Sequence, residues 1–161
     1  MVRLGVLRDL GLALLGLLLL IAPFVLTVSA RGAEALAGPV PALVTRVVDG
    51  DTLEARVRIW IGQELTTKVR LAEINAPEIG SHAKCAAERR KGEEARVFLA
   101  GLVAGRAVQL YDIRFDKYGD RVDARVVLAG NAGGEEIDVG DLLVAKGFAV
   151  AYGSLGVWCA R

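Results

Sequence analysis

The sequence predicts an α+β fold: a mainly β domain in which a small five-stranded β-barrel of OB type carries packed helices, preceded by an N-terminal apolar helix. Three strand-like runs separated by tight-turn residues occupy the stretch between residues 43 and 74. The hydrophobic period then changes from two to about 3.6 over residues 86–103, and two further strand-like runs and a short helical stretch follow. At 161 residues the chain has the length of one domain.

The first element is the apolar one. Leu10 to Val28 is nineteen residues without a charge, preceded by Arg3 and Arg8. It accounts for much of the 53% apolar content and the mean hydropathy of +0.42. Residues 1–30 read either as a signal peptide, with Val28-Ser29-Ala30 as a cut site, or as an uncleaved membrane anchor, since nineteen residues is close to the roughly 20 that span a bilayer. Positive charge ahead of the apolar run directs the remainder out of the cytoplasm in both cases. The domain is then periplasmic or secreted after cleavage, or held at the membrane through residues 10–28.

Residues 31–41 read as a small-residue linker, and 42–161 as the folded domain. Leu43 to Val48 is rich in β-branched residues and stops at the turn pair Asp49-Gly50. Alternation from Thr52 to Ile61 is complete, with Leu53, Ala55, Val57, Ile59 and Ile61 expected on one face. Gly62-Gln63 permits a reversal into a third strand, Leu65 to Ile74. From Ala86 to Val103, residues Ala95, Phe98, Leu99 and Leu102 share a helical face, while Glu88, Arg89, Arg90, Lys91 and Glu93 are expected mostly elsewhere, the basic triplet as a solvated surface. Ala107 to Tyr111 and Arg121 to Leu128 are strand candidates, and a helix over Val139 to Lys146 ends at Gly147.

Charge and cysteine content narrow the function classes. Removing residues 1–30 takes away two of the 20 basic and one of the 19 acidic residues, leaving 18 of each. A domain without basic excess lacks the global field of an avid nonspecific nucleic-acid binder, so any nucleic-acid site must be local. Cys85 and Cys159 are the two cysteines. In an oxidising compartment a bridge between them would contribute roughly 3 to 5 kcal/mol, the alternative being two unrelated buried thiols. No CxxC or HxxxH spacing favours a metal site made with His82.

Acidic and basic residues recur at the ends of the strand-like runs, in Val48-Asp49-Gly50-Asp51-Thr52, in Val69-Arg70-Leu71-Ala72-Glu73-Ile74-Asn75-Ala76-Pro77-Glu78 and in Asp116-Lys117-Tyr118-Gly119-Asp120-Arg121. Phosphodiester hydrolysis brings negative charge beside negative charge. Its site needs a cation, donors for the phosphoryl oxygens and a base for water. Asp51 suits a hard metal, Arg70 and Arg121 suit phosphate, and Glu78 suits a water-orienting or water-deprotonating role. Taken singly, each residue also has a plain reading as a turn, loop or surface charge.

In combination and order, the motifs from about Val44 to Trp158 resemble the staphylococcal nuclease (thermonuclease) family. The resemblance implies an OB-type barrel and calcium-dependent hydrolysis of phosphodiester bonds in DNA and RNA. By position it implies Asp51 as a calcium ligand with Asp49 in the outer shell; the Ala76 backbone carbonyl is a further oxygen able to complete the shell. It implies Arg70 on the scissile phosphate, Glu78 on the attacking water, and Lys117, Tyr118 and Tyr152 on the nucleotide. The family's second metal carboxylate falls on Asn75, which coordinates without charge and is expected to weaken calcium binding. Asp120 stands where the family has arginine, and a loop one residue longer would return Arg121 to the site. The expected activity is that of a metal-dependent endonuclease outside the cytoplasm. The alternative is a nuclease-like module, weakened in catalysis, that binds single-stranded nucleic acid or a protein partner.

Overall fold

In a computed structural model of the chain, residues 34–116, 119, 121–128, 135–154, 156, 158 and 159 are described. The apolar run 10–28, Lys117, Tyr118 and Asp120 lie outside them. Strands β1 (Ala35–Leu36), β2 (Val40–Val47), β3 (Thr52–Trp60), β4 (Gln63–Leu71) and β5 (Ile74–Asn75) precede helix α1 (Ala86–Val103). Strands β6 (Ala107–Phe115), β7 (Arg121–Leu128) and β8 (Ile137–Asp138), helix α2 (Val139–Ala145) and strand β9 (Val150–Ala151) complete the order.

The barrel closes because β6 pairs with both β2 and β7. The ring runs β2-β3-β4-β7-β6, with β4 and β7 parallel and the other neighbours antiparallel. Closure removes the exposed edges that an open five-stranded sheet would present. Val44, Leu53, Val69, Leu71, Leu110, Val126 and Leu128 fill the interior, and α1 contributes Leu99 and Val103 from one side. Among the described residues no helix is long and apolar enough to cross a membrane.

Several boundaries differ from the sequence expectation. The linker expected over 31–41 is partly sheet: Ala35 and Leu36 pair with Arg114 and Ile113, and β2 begins at Val40 opposite Leu110. Small residues hid this pairing, because strand propensity there comes from the partner rather than the side chains. The third strand breaks after Leu71, where Glu73 takes a left-handed φ of 61° before β5. Ile59 and Ile61, expected inward, stand 55% and 88% exposed because β3 outruns the core.

Helix α1 spans the expected residues, but Glu88 faces inward and is buried. Its carboxylate accepts from the Lys84 N–H at 2.7 Å, while the sulfur of Cys85, the N-cap, accepts from the Glu88 N–H at 3.3 Å. This reciprocal arrangement satisfies two donors at the helix start, with sulfur in the place usually taken by a hydroxyl. Cys85 is bonded to Cys159, with Cα atoms 6.1 Å apart. At the other end of the helix, Phe98 stacks on Phe148 at a centroid distance of 4.4 Å.

Candidate nuclease site

The turn between β2 and β3 builds the acidic corner. Val48 and Asp49 both donate their N–H to the Thr52 carbonyl, and the Asp49 side chain accepts from the Asp51 N–H at 3.1 Å. A β-carbon at Gly50 would lie 2.8 Å from the Ala76 methyl and 2.9 Å from that of Ala95. Only glycine permits this approach of turn, loop and helix. Gly92 of α1 plays the same part beneath the next segment, where a β-carbon would meet the Glu78 and Pro77 carbonyl oxygens at 2.6 and 2.7 Å.

Asp51 is buried, and both of its oxygens accept hydrogen bonds. Oδ1 accepts from the Thr52 hydroxyl at 3.1 Å, and Oδ2 accepts from Arg70 Nη2 at 3.3 Å and from the Ala76 N–H at 3.0 Å. Register explains the ion pair: Thr52 on β3 lies opposite Arg70 on β4. Arg70 also donates to the Ile74 carbonyl at 3.0 Å, and its guanidinium lies 5.7 Å from the centre of the Tyr152 ring. That ring is positioned by the Tyr152 N–H, which donates to the Glu73 carbonyl beside the β5–β9 pairing. Burial pushes the Asp51 carboxyl above its usual range and Asp49 adds to the effect, while Arg70 opposes it.

At the β6–β7 turn Asp116 is buried and forms an ion pair with Arg121, and its N–H donates to the Arg121 carbonyl at 3.1 Å. Burial of Arg121 works against its charge. The hydrogen bond and charge of Asp116 outweigh that, and Asp51 and Asp123 help to raise the guanidinium pKa.

The structure therefore brings Asp49, Asp51, Arg70, Ala76 and Tyr152 into one connected group, with Arg121 within reach of the Asp51 charge. Asn75 is half-buried on β5, and Glu78 is exposed two residues beyond Ala76. Lys117 and Tyr118 lie outside the described residues. Cys85 and Cys159 form a cluster with Glu88, but sulfurs bonded to each other offer no thiolate to a metal.

Asp123 is a further candidate beside the site, one that sequence reasoning missed. It pairs with Arg70 across the parallel β4–β7 ladder, and its Oδ1 is buried without a hydrogen-bond partner among the described residues. Burial and then Asp116 push its carboxyl upward, and Arg70 and Arg121 only partly offset them. The signal was the register of two strands about fifty residues apart, which alternation does not report. Asp123→Val is expected to stabilise the domain by about 1 kcal/mol at neutral pH, because it removes a buried, unpartnered carboxylate oxygen from a strand. Thermal melting checks this, and a lower Tm would show that the carboxylate is supported after all.

Comparison with known proteins places this geometry. The sequence model described as Staphylococcal nuclease homologue matches residues 68–157, more than half of the chain. The chain belongs to the staphylococcal nuclease family. Its domain is thus nuclease-like, built on the OB-type barrel. The chain is also 32% identical over 111 residues to a micrococcal nuclease of Shigella flexneri, an alignment covering 68% of this chain and 56% of that protein. It therefore spans little more than half the length of that relative. Among solved structures, the extended Tudor domain TD3 from mouse TDRD1, in complex with a MILI peptide containing dimethylarginine, matches with a TM-score of 0.41 and 12% identity. That match covers 90% of this chain and 83% of the other. The human TDRD1 extended Tudor domain in complex with a symmetrically dimethylated peptide gives 0.38 and 13%, covering 88% and 79%.

Proposed function

We propose that this staphylococcal nuclease family member is a calcium-dependent endonuclease that hydrolyses phosphodiester bonds of DNA or RNA outside the cytoplasm. The observation that carries the reading is the buried Asp51 carboxylate, held 3.3 Å from Arg70 and 3.0 Å from the Ala76 N–H. Family membership and the micrococcal nuclease relative support it.

The donor set fits a hard cation. The Asp51 carboxylate, the Asn75 amide oxygen and the Ala76 carbonyl are oxygen ligands, and Asp51 sits where burial and Asp49 leave negative charge under-compensated. These residues would hold calcium, which would supply positive charge for the phosphoryl oxygens. Asp49 acts behind them by fixing the Asp51 backbone. Arg70, already oriented by Asp51 and the Ile74 carbonyl, presents its remaining donors to the scissile phosphate, and Arg121 presents a second guanidinium. Glu78 is exposed next to the buried Ala76-Pro77 and takes the proton of the attacking water. Tyr152, exposed beside Arg70, offers a ring on which a base or sugar stacks, and Lys117 and Tyr118 contribute further nucleotide contacts.

The test is cleavage of single-stranded DNA, duplex DNA and RNA by the purified chain, with calcium and with chelator. The expected result is calcium-dependent cleavage that Glu78→Gln lowers by about 10²- to 10³-fold. A folded wild-type chain that cleaves none of the three with any divalent metal overturns the proposal. Calcium-independent binding to single strands in that case would support the binding-module reading.

A further inference from the structure

The β3–β4 hairpin carries apolar surface that the fold does not use. Ile59, Trp60, Ile61 and Leu65 are 55%, 69%, 88% and 53% exposed. Barrel pairing explains why. The β2–β3 ladder starts at Ala42 opposite Val57, and the β4–β7 ladder starts at Lys68 opposite Arg121, so the residues between project as a two-stranded ribbon around the Gly62 turn. Four large apolar side chains on a ribbon of this kind contribute little to a core and favour partners outside it.

Four observations favour a lipid surface as the partner. Trp60 sits between two isoleucines next to exposed Arg58, while Arg56 is already paired with Glu64 at 3.0 Å. An indole and a guanidinium flanking aliphatic side chains suit the layer between headgroups and acyl chains. Pro41 shares a cavity with Arg58 to Glu64, so the chain enters the barrel beside this tip. Only eleven residues of sequence separate that strand from the uncharged Leu10 to Val28 run. The Asp51 turn begins β3 and the tip ends it, roughly 25 Å apart at the rise of an extended chain, so docking at the tip leaves the Asp51 corner away from the bilayer.

We propose that the Ile59–Leu65 tip docks on an anionic bilayer, with Trp60 and Ile61 in the headgroup–acyl boundary and Arg58 at the phosphates. This rests in part on residues 10–28 bringing the chain to a membrane. The experiment reconstitutes the full chain, with Trp158→Phe leaving Trp60 as its one tryptophan, into vesicles of brominated phosphatidylcholine containing about 30 mol% phosphatidylglycerol. Flotation reads the hold of the leader, and quenching of Trp60 reads the tip. Trp60 emission is expected to fall about twofold relative to unbrominated vesicles, and Ile61→Ser/Leu65→Ser is expected to remove most of that quenching at an unchanged Tm. Flotation with an unquenched Trp60 overturns the docking and leaves the leader reading intact. Quenching on added vesicles without stable flotation supports the tip and overturns the anchor. Lipid-independent shielding of Trp60 that grows with protein concentration identifies a second copy and overturns the proposal.

Discussion

Arg70→Ala is expected to lower kcat/KM on an oligonucleotide by about 10³-fold, with Arg70→Lys nearly as damaging. The guanidinium is fixed by Asp51, by the Ile74 carbonyl and beneath Tyr152, so its remaining N–H groups are already oriented for the phosphate contact proposed above. An ammonium on a flexible stem reproduces the charge and not the fork. The same substitution has a stability signature. Arg70 is the main group opposing the rise of the Asp51 carboxyl, and removing it drives that carboxyl further above its ordinary value of 3.8. A carboxyl whose folded value is raised binds its proton more tightly in the native state. Its favourable contribution is therefore present at low pH and is lost as pH rises from the ordinary value through the raised one. Arg70→Ala should thus lose more Tm at about pH 8 than at about pH 4. An equal loss at both, or cleavage within threefold of wild type, would falsify the assignment of Arg70 to both Asp51 and the phosphate.

Loss of the Cys85–Cys159 bridge is expected to destabilise the domain by about 4 kcal/mol, from the entropy its long loop regains when unfolded. The sequence separation of 74 closes most of the folded domain into that loop. For a domain of this size the shift corresponds to roughly 10–20 °C in Tm. The bridge also fixes the tail against the start of α1, where Cys85 caps the helix and Lys91 lies 5.5 Å from the Trp158 ring. Cys85→Ser/Cys159→Ser, or wild type with reductant, should therefore also red-shift tryptophan emission as Trp158 leaves that contact. Cleavage measured well below the new Tm should persist, since Asp51 and Arg70 are held by β3 and β4. A double-serine chain that melts within about 2 °C of oxidised wild type would show that the bridge adds nothing.

Local physics carried far in this chain. Alternation over Thr52 to Val57, the turn pair Asp49-Gly50, the 3.6-residue period of Ala86 to Val103 and the stop at Gly147 each state a conformation within a few residues. The corresponding elements stand where those patterns put them. The order of strands and helices then leaves few ways to bury the apolar faces, which is why a closed barrel of OB type was legible, along with the Asp51, Arg70 and Glu78 motifs. Tertiary structure decided what depends on neighbours distant in sequence. The β1 pairing of small residues, the inward turn of Glu88, the projection of Ile59 and Ile61 beyond the core and the placement of Asp123 beside Arg70 all follow from strand register and barrel closure. A one-residue change in register would exchange the faces of a whole strand without altering a single local propensity. Sequence pattern therefore determined most of the strands and helices and which residues are candidates for the chemistry. Only closure of the barrel determined which of them meet.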